Sequence, residues 1–329
     1  MRALIRSLSE AVILVAALCS AGLAAAQPYP VKPIVIKVAY PPGFGVDASV
    51  RPAAPLLQRS LGQTLVIDNM PGANGSIAAM NVFNAPPDGY SLLATAGPDL
   101  LVAPLTVASA KYTVDSFKLI GVFGISDMVL VAPPTFPFKN LDSLVEQMQK
   151  PGSNELSIAH WGMGTLAHLA AADFQARVGA KLLEVPYKGI APVAMAVSGG
   201  EVNLAFVPLG GPILGMIQTG RIKAVAIAGA KRLPLLPEVA TLGEHPRFKN
   251  FEFGMWAGLL APARTPDAVV ARLSSAFNEW IESQEYLALV TAQGARKPDP
   301  MTPQQASVFF RAESEKFIGI ARTLNLVPQ

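Results

Sequence analysis

The chain has 329 residues, of which 51% are hydrophobic and only 15% charged, and its mean hydropathy is +0.38. Such a composition excludes a disordered chain, and the length suggests two domains. Lys and Arg number 26 against 23 Asp and Glu, a net charge of +3 without the concentrated basic face that nucleic acid requires.

Residues 1–26 read as a secretory signal peptide. Arg2 and Arg6 give a positive start, residues 11–18 an apolar stretch, and Ala24, Ala25 and Ala26 a small-residue cleavage site before Gln27. The apolar run is 16 residues long, short of the roughly 20 that span a bilayer. Cys19 raises lipid anchoring as an alternative, although the residues before it lack a leucine three positions upstream. Cleavage removes the only cysteine, and with it any disulfide, zinc-thiolate site or cysteine nucleophile. The expectation is a soluble, exported protein.

The remaining chain alternates strands and helices. Residues 34–40 form a β-branched strand ended by Pro41-Pro42-Gly43, and residues 47–61 a helix whose boundary is blurred by Pro52 and Pro55. A short strand at 65–68 leads through the turn Pro71-Gly72-Ala73-Asn74-Gly75 to a helix ending near Asn84. Strands follow at 91–95 and 120–132, then a helix at 141–149 with Asn140 as its N-cap. A strand at 156–159, a helix at 165–178 and a strand at 182–185 continue the alternation, which argues for α/β architecture with largely parallel sheets. Residues 266–280, 282–293 and 303–324 are amphipathic helices. No linker separates two domains, so the chain is expected to cross between them more than once.

Catalytic signatures are missing. The three histidines, His160, His168 and His245, stand in no H-E-x-x-H, and no G-x-S-x-G or phosphate-loop motif occurs. Three glycine-rich turns lie between a strand and a helix instead, at residues 42–47, 71–76 and 161–165. A helix N-terminus has unpaired N–H groups and a partial positive charge, and glycine lets a ligand approach them; together they bind an anion without a basic side chain. The third turn also fits a dinucleotide fingerprint. Gly162-Met163-Gly164-Thr165-Leu166-Ala167 reads G-x-G-x-x-A, with Glu184 22 residues beyond Gly162. An NAD(P)-dependent oxidoreductase is therefore the rival reading.

Read in order, the turns and their neighbours carry a family resemblance. The residues are Pro41-Pro42-Gly43 with Asp47 and Arg51, Leu61-Gly62-Gln63, Asp68-Asn69, Pro71-Gly72-Ala73 and Pro87-Asp88-Gly89-Tyr90. Gly162 with Gly164-Thr165 and His168-Leu169, Val185-Pro186-Tyr187-Lys188-Gly189, Ala230-Lys231-Arg232, and Trp256 with Gly258-Leu259-Leu260-Ala261-Pro262 complete the series. Across nearly the whole exported chain it resembles the Bug family, the extracytoplasmic solute-binding receptors of tripartite tricarboxylate transporters.

The resemblance implies a two-domain Venus-flytrap periplasmic binding protein of the type II kind, with the ligand in the interdomain cleft and no cofactor, metal or catalysis. The first domain would span residues 27–125 and 253–329, and the second 126–252. The ligand would be a small carboxylate and the partners the membrane permease subunits, the receptor acting as a monomer; docking on a signalling ectodomain is the sensory alternative. The implied ligand-binding residues are Gly43, Phe44, Gly45, Asp47, Gly72, Ala73, Asn74, Gly75, Ala96, Gly97, Trp161, Gly162, Met163, Gly164, Thr165, His168 and Tyr187. For Asp47 and Thr165, helix capping competes with ligand contact, and for His168 packing does.

The sequence departs from the family pattern at Phe44, Met70, His160-Trp161, Met163 and Asn203. Phe44 and Trp161 come from opposite domains; either they sandwich an aromatic or hydrophobic acid, or one of them points into its own domain's core.

Overall fold

The computed structural model describes residues 29–43, 46–150, 156–292 and 295–323. The signal peptide with Cys19 and Gln27, and Phe44 and Gly45 of the first turn, lie outside the described residues. The fold described below begins at Lys32.

β1 (Ile34–Val38) buries Ile34, Ile36 and Val38 on one face. It pairs in parallel with β2 (Leu65–Asn69) on one side and β3 (Ser91–Ala96) on the other. β4 (Phe117–Ala132) is one strand of 16 residues, and β9 (Gly254–Pro262) lies antiparallel between it and β3. Up to Asp127, β4 pairs with β9. From Met128 its partners change to β7 (Leu204–Pro208) on one side and β8 (Lys223–Ala228) on the other. β5 (Ser157–His160) joins β7 to β6 (Leu183–Pro186) in parallel. The sheet order is therefore β2-β1-β3-β9-β4-β7-β5-β6, with β8 off this path beside β4.

Helix α1 (Val46–Leu61) runs straight through Pro52 and Pro55. Both prolines are exposed, while Val46, Val50, Ala53, Leu57 and Leu61 bury the opposite face, so packing overrides the local penalty. α2 (Ser76–Phe83), α4 (Leu141–Met148) and α5 (Leu166–Val178) lie within one or two residues of their expected bounds. Asn140 caps α4 as expected, its Oδ1 accepting from Ser143 N at 3.0 Å. Three helices were not expected from the sequence, α3 (Gly97–Thr106), α6 (Ile190–Gly199) and α7 (Gly211–Gln218). α3 carries Pro98 and Pro104 and is buried almost all round, so no amphipathic period marks it. α7 precedes β8.

The C-terminal helices α8 (Asp267–Ile281), α9 (Gln284–Ala292) and α10 (Pro303–Thr323) return to the first half of the molecule. α8 packs on α1 and β4, and α10 on α3 and β4. Each half has an aromatic cluster. Phe123, Phe277, Trp280 and Tyr286 meet edge-on at 4.7–5.7 Å in the first, and Phe174, Phe206, Phe248 and Phe251 meet at 5.1–5.8 Å in the second, where Phe174 stacks on Phe248. No helix among the described residues is long and apolar enough to cross a membrane.

Candidate functional site

The three glycine turns and the start of α3 converge where the two halves of the sheet meet. In the first turn, the Gly43 amide donates to Asp47 Oδ2 at 2.6 Å. Asp47 is fully buried and also accepts from Arg51 Nε at 2.7 Å and from Asn69 Nδ2 at 2.8 Å. Burial alone would raise its pKa; Arg51, Gly43 and Asn69 outweigh it and hold the carboxyl below the usual range. Asp47 thus ties β1, α1 and β2 together.

In the second turn Ala73 and Asn74 both have positive φ, 46° and 52°, between Gly72 and Gly75. This left-handed pair aims the Asn74 side chain across the junction, where its Nδ2 donates to Met163 O at 2.8 Å. Ala96 and Gly97 open α3. A Cβ on Gly97 would lie 1.9 Å from the buried Trp256 ring, so close packing accounts for this glycine.

The third turn is held by its own histidines. The Gly162 amide donates to His160 Nδ1 at 3.2 Å and the Gly164 amide to His168 Nδ1 at 3.0 Å, which leaves the ring N–H of each at Nε2. Thr165 neither caps α5 nor points its hydroxyl outward; Oγ1 donates to Gly162 O at 2.7 Å. His168 Nε2 lies 3.5 Å from Glu184 Oε2, and Gln175 donates to the other oxygen at 2.9 Å. The His168 bond, assisted by Gln175, outweighs burial and brings the Glu184 pKa down to about 2. Burial and the neighbouring His168 lower that of His160, whose Nε2 is buried without a hydrogen-bond partner among the described residues. Gly164 presses on Thr106 at the end of α3, where a Cβ would come within 2.1 Å. Met163 is exposed, and Tyr187 is half-buried with its amide donating to His160 O.

Sequence reasoning missed Asp99, in the first turn of α3 and 2% exposed. Its Oδ2 accepts from Tyr40 Oη at 2.6 Å, and its Oδ1 accepts from the Leu166 amide at the N-terminus of α5, 3.3 Å away in the other half. Trp161 Nε1 lies buried beside this carboxylate without a well-formed hydrogen bond. Burial raises the Asp99 pKa despite these donors. The available signal was a helix start, Pro98 followed by an acid.

The fold does provide the parallel β5-α5-β6 unit that a dinucleotide fingerprint needs. Its contact points are engaged elsewhere, Glu184 by His168 and Gln175, and the amides of Gly162, Gly164 and Leu166 by acceptors within the chain. The described residues contain no group of three His, Cys, Asp or Glu able to hold a metal.

Beside the junction lies a chamber of about 600 Å³. Tyr40, Gly43, Phe123 and Met255 line it from the first half, and Trp161, Lys188, Ile213 and Met216 from the second. Trp161 lines this chamber although only 8% exposed.

Residues 50–326 match the family model described as the tripartite tricarboxylate transporter family receptor. Protein BugT of Bordetella pertussis (strain Tohama I) is 32% identical over 313 residues, 93% of this chain and 94% of that protein. Among solved structures, MatC of Rhodopseudomonas palustris with bound malate superposes with a TM-score of 0.80 at 26% identity, over 89% of this chain and all of that one. The periplasmic binding protein BugD gives 0.80 at 28%, over 92% of this chain and all of that one. The fold is thus that of a two-domain Venus-flytrap binding protein, and the chain belongs to the tripartite tricarboxylate transporter receptor family.

Proposed function

We propose that the protein is a periplasmic receptor that binds a small carboxylate reversibly, closes around it and delivers it to a membrane permease, catalysing nothing. The observation that carries this reading is the convergence of the turns after β1, β2, β3 and β5, one half's turns against the other's, beside a chamber open to both. On this reading the domains are residues 27–125 with 253–329 and residues 126–252, and the hinge lies in β4 and the return strand. Binding shifts a population already able to close. The chamber-lining Trp161 supports a preference for aromatic or hydrophobic acids.

Thermal-shift titration of refolded protein tests the reading. Ligand at about 100 times its dissociation constant should add roughly 2.7 kcal/mol of stability. A rise with a carboxylate supports a receptor, and a rise with NAD(P) alone overturns it. Uptake of the same acid that needs both the receptor and its permease tests delivery.

A further inference from the structure

The chamber and the junction differ in one respect that bears on the ligand's shape. Among the chamber's lining residues Lys188 is the only cation, and no carboxylate joins it. Lys188 is exposed and has no ion-pair partner among the described residues. It stands just before Gly189, the N-cap of α6, at the positive end of a helix, where a cation weakens the helix rather than supporting it. The N-termini of α6 and α7, neither capped by a side chain, open on the same chamber at Gly189 and Gly210.

The rest of the wall is largely apolar, with the half-buried Ser49 and Ser126 as its hydroxyl-bearing exceptions. Met195, Met216 and Met255 give it an adaptable surface. The two tyrosines contribute no free hydroxyl, since Tyr40 donates to Asp99 and Tyr286 to Phe123 O at 2.7 Å. A cavity of about 150 Å³ suffices for benzene, so this chamber has room for a body of roughly ten carbons. A second carboxylate would find no second cation in this wall, and at the junction it would have to displace Asp99 from the Leu166 amide.

We infer that the ligand is a monocarboxylate with a large apolar body, its carboxylate paired with Lys188 and its body in the methionine-lined chamber, while Asp99 holds the α5 terminus against a second carboxylate. The inference rests on the receptor reading and narrows its substrate class.

The test is calorimetric titration of the purified, refolded protein with decanoate, 4-phenylbutyrate, decanamide, malate and adipate. Decanoate or 4-phenylbutyrate should bind at least tenfold more tightly than malate and adipate, and decanamide at least tenfold more weakly than decanoate. Lys188→Ala, at an exposed position, should weaken decanoate about tenfold and leave decanamide unchanged. Asp99→Ser should narrow the gap between adipate and decanoate. Tighter binding of malate or adipate than of either apolar acid overturns the inference and leaves the receptor standing. Equal binding of decanoate by the parent and Lys188→Ala overturns the pairing. If none of the five binds, the inference is lost, and if the wider carboxylate panel also fails, so is the receptor reading.

Discussion

The junction of the glycine turns and the chamber beside it share one cleft but are built on opposite terms. At the junction, backbone meets side chain at close range. Gly97 lies under Trp256, Gly164 on Thr106, and Asn74 reaches Met163 O. In the chamber the contacts are unbranched methionines that can be rearranged at small cost. On the receptor reading proposed above, the difference makes closure and ligand choice separable. Glycines and short polar side chains determine how the halves meet, and the apolar wall determines what fits between them.

Mutations can break this comparison. Gly97→Ala drives a Cβ into a buried indole that has nowhere to go, and should destabilise by about 3 kcal/mol, lowering the thermal midpoint by roughly 6 °C. Gly164→Ala obstructs closure against Thr106. Calorimetry should show ligand affinity falling more than tenfold, with partial recovery on adding Thr106→Gly, a coupling that a merely local strain at Gly164 would not show.

Asn74→Gly keeps the left-handed backbone and removes only the amide to Met163, so affinity should weaken about fivefold, corresponding to about 1 kcal/mol. Glu184 sharpens the electrostatic side. Its folded pKa is depressed, so its contribution is present above about pH 4.5 and is lost as pH falls toward about 2. Water reaching the carboxylate limits the effect to about 1 kcal/mol, and urea midpoints measured across that window should lose this dependence in Glu184→Gln. Met216→Leu, a volume-conserving change in the chamber, should alter stability by less than about 1 kcal/mol. If it proved as damaging as Gly97→Ala, the contrast between the two regions would collapse.

Much of this was legible in the sequence, for identifiable reasons. The C-terminal helices declare themselves by amphipathic period, and Asn140 by its capping chemistry. The glycine turns are visible too, but the reasons for individual glycines are not. Nothing near Gly97 in sequence announces the Trp256 ring, and nothing near Gly164 announces Thr106. Asp99 was hidden for the same cause, since its partners Tyr40 and Leu166 lie 59 and 67 residues away. α3 escaped because burial all round erases the periodicity that marks a surface helix.

The position of β9 has a consequence for how the chain comes to be folded. It lies between β3 and β4, although the ribosome makes it long after both. A nascent chain that has reached β8 already contains the other eight strands, yet the facing edges of β3 and β4 are still unpaired. Registration of the first sheet waits for residues 254–262, so chain termination before Pro262 leaves two exposed edges rather than a smaller stable protein. Synthesis order and assembly order are thereby uncoupled, and the centre of the sheet is its last piece to arrive.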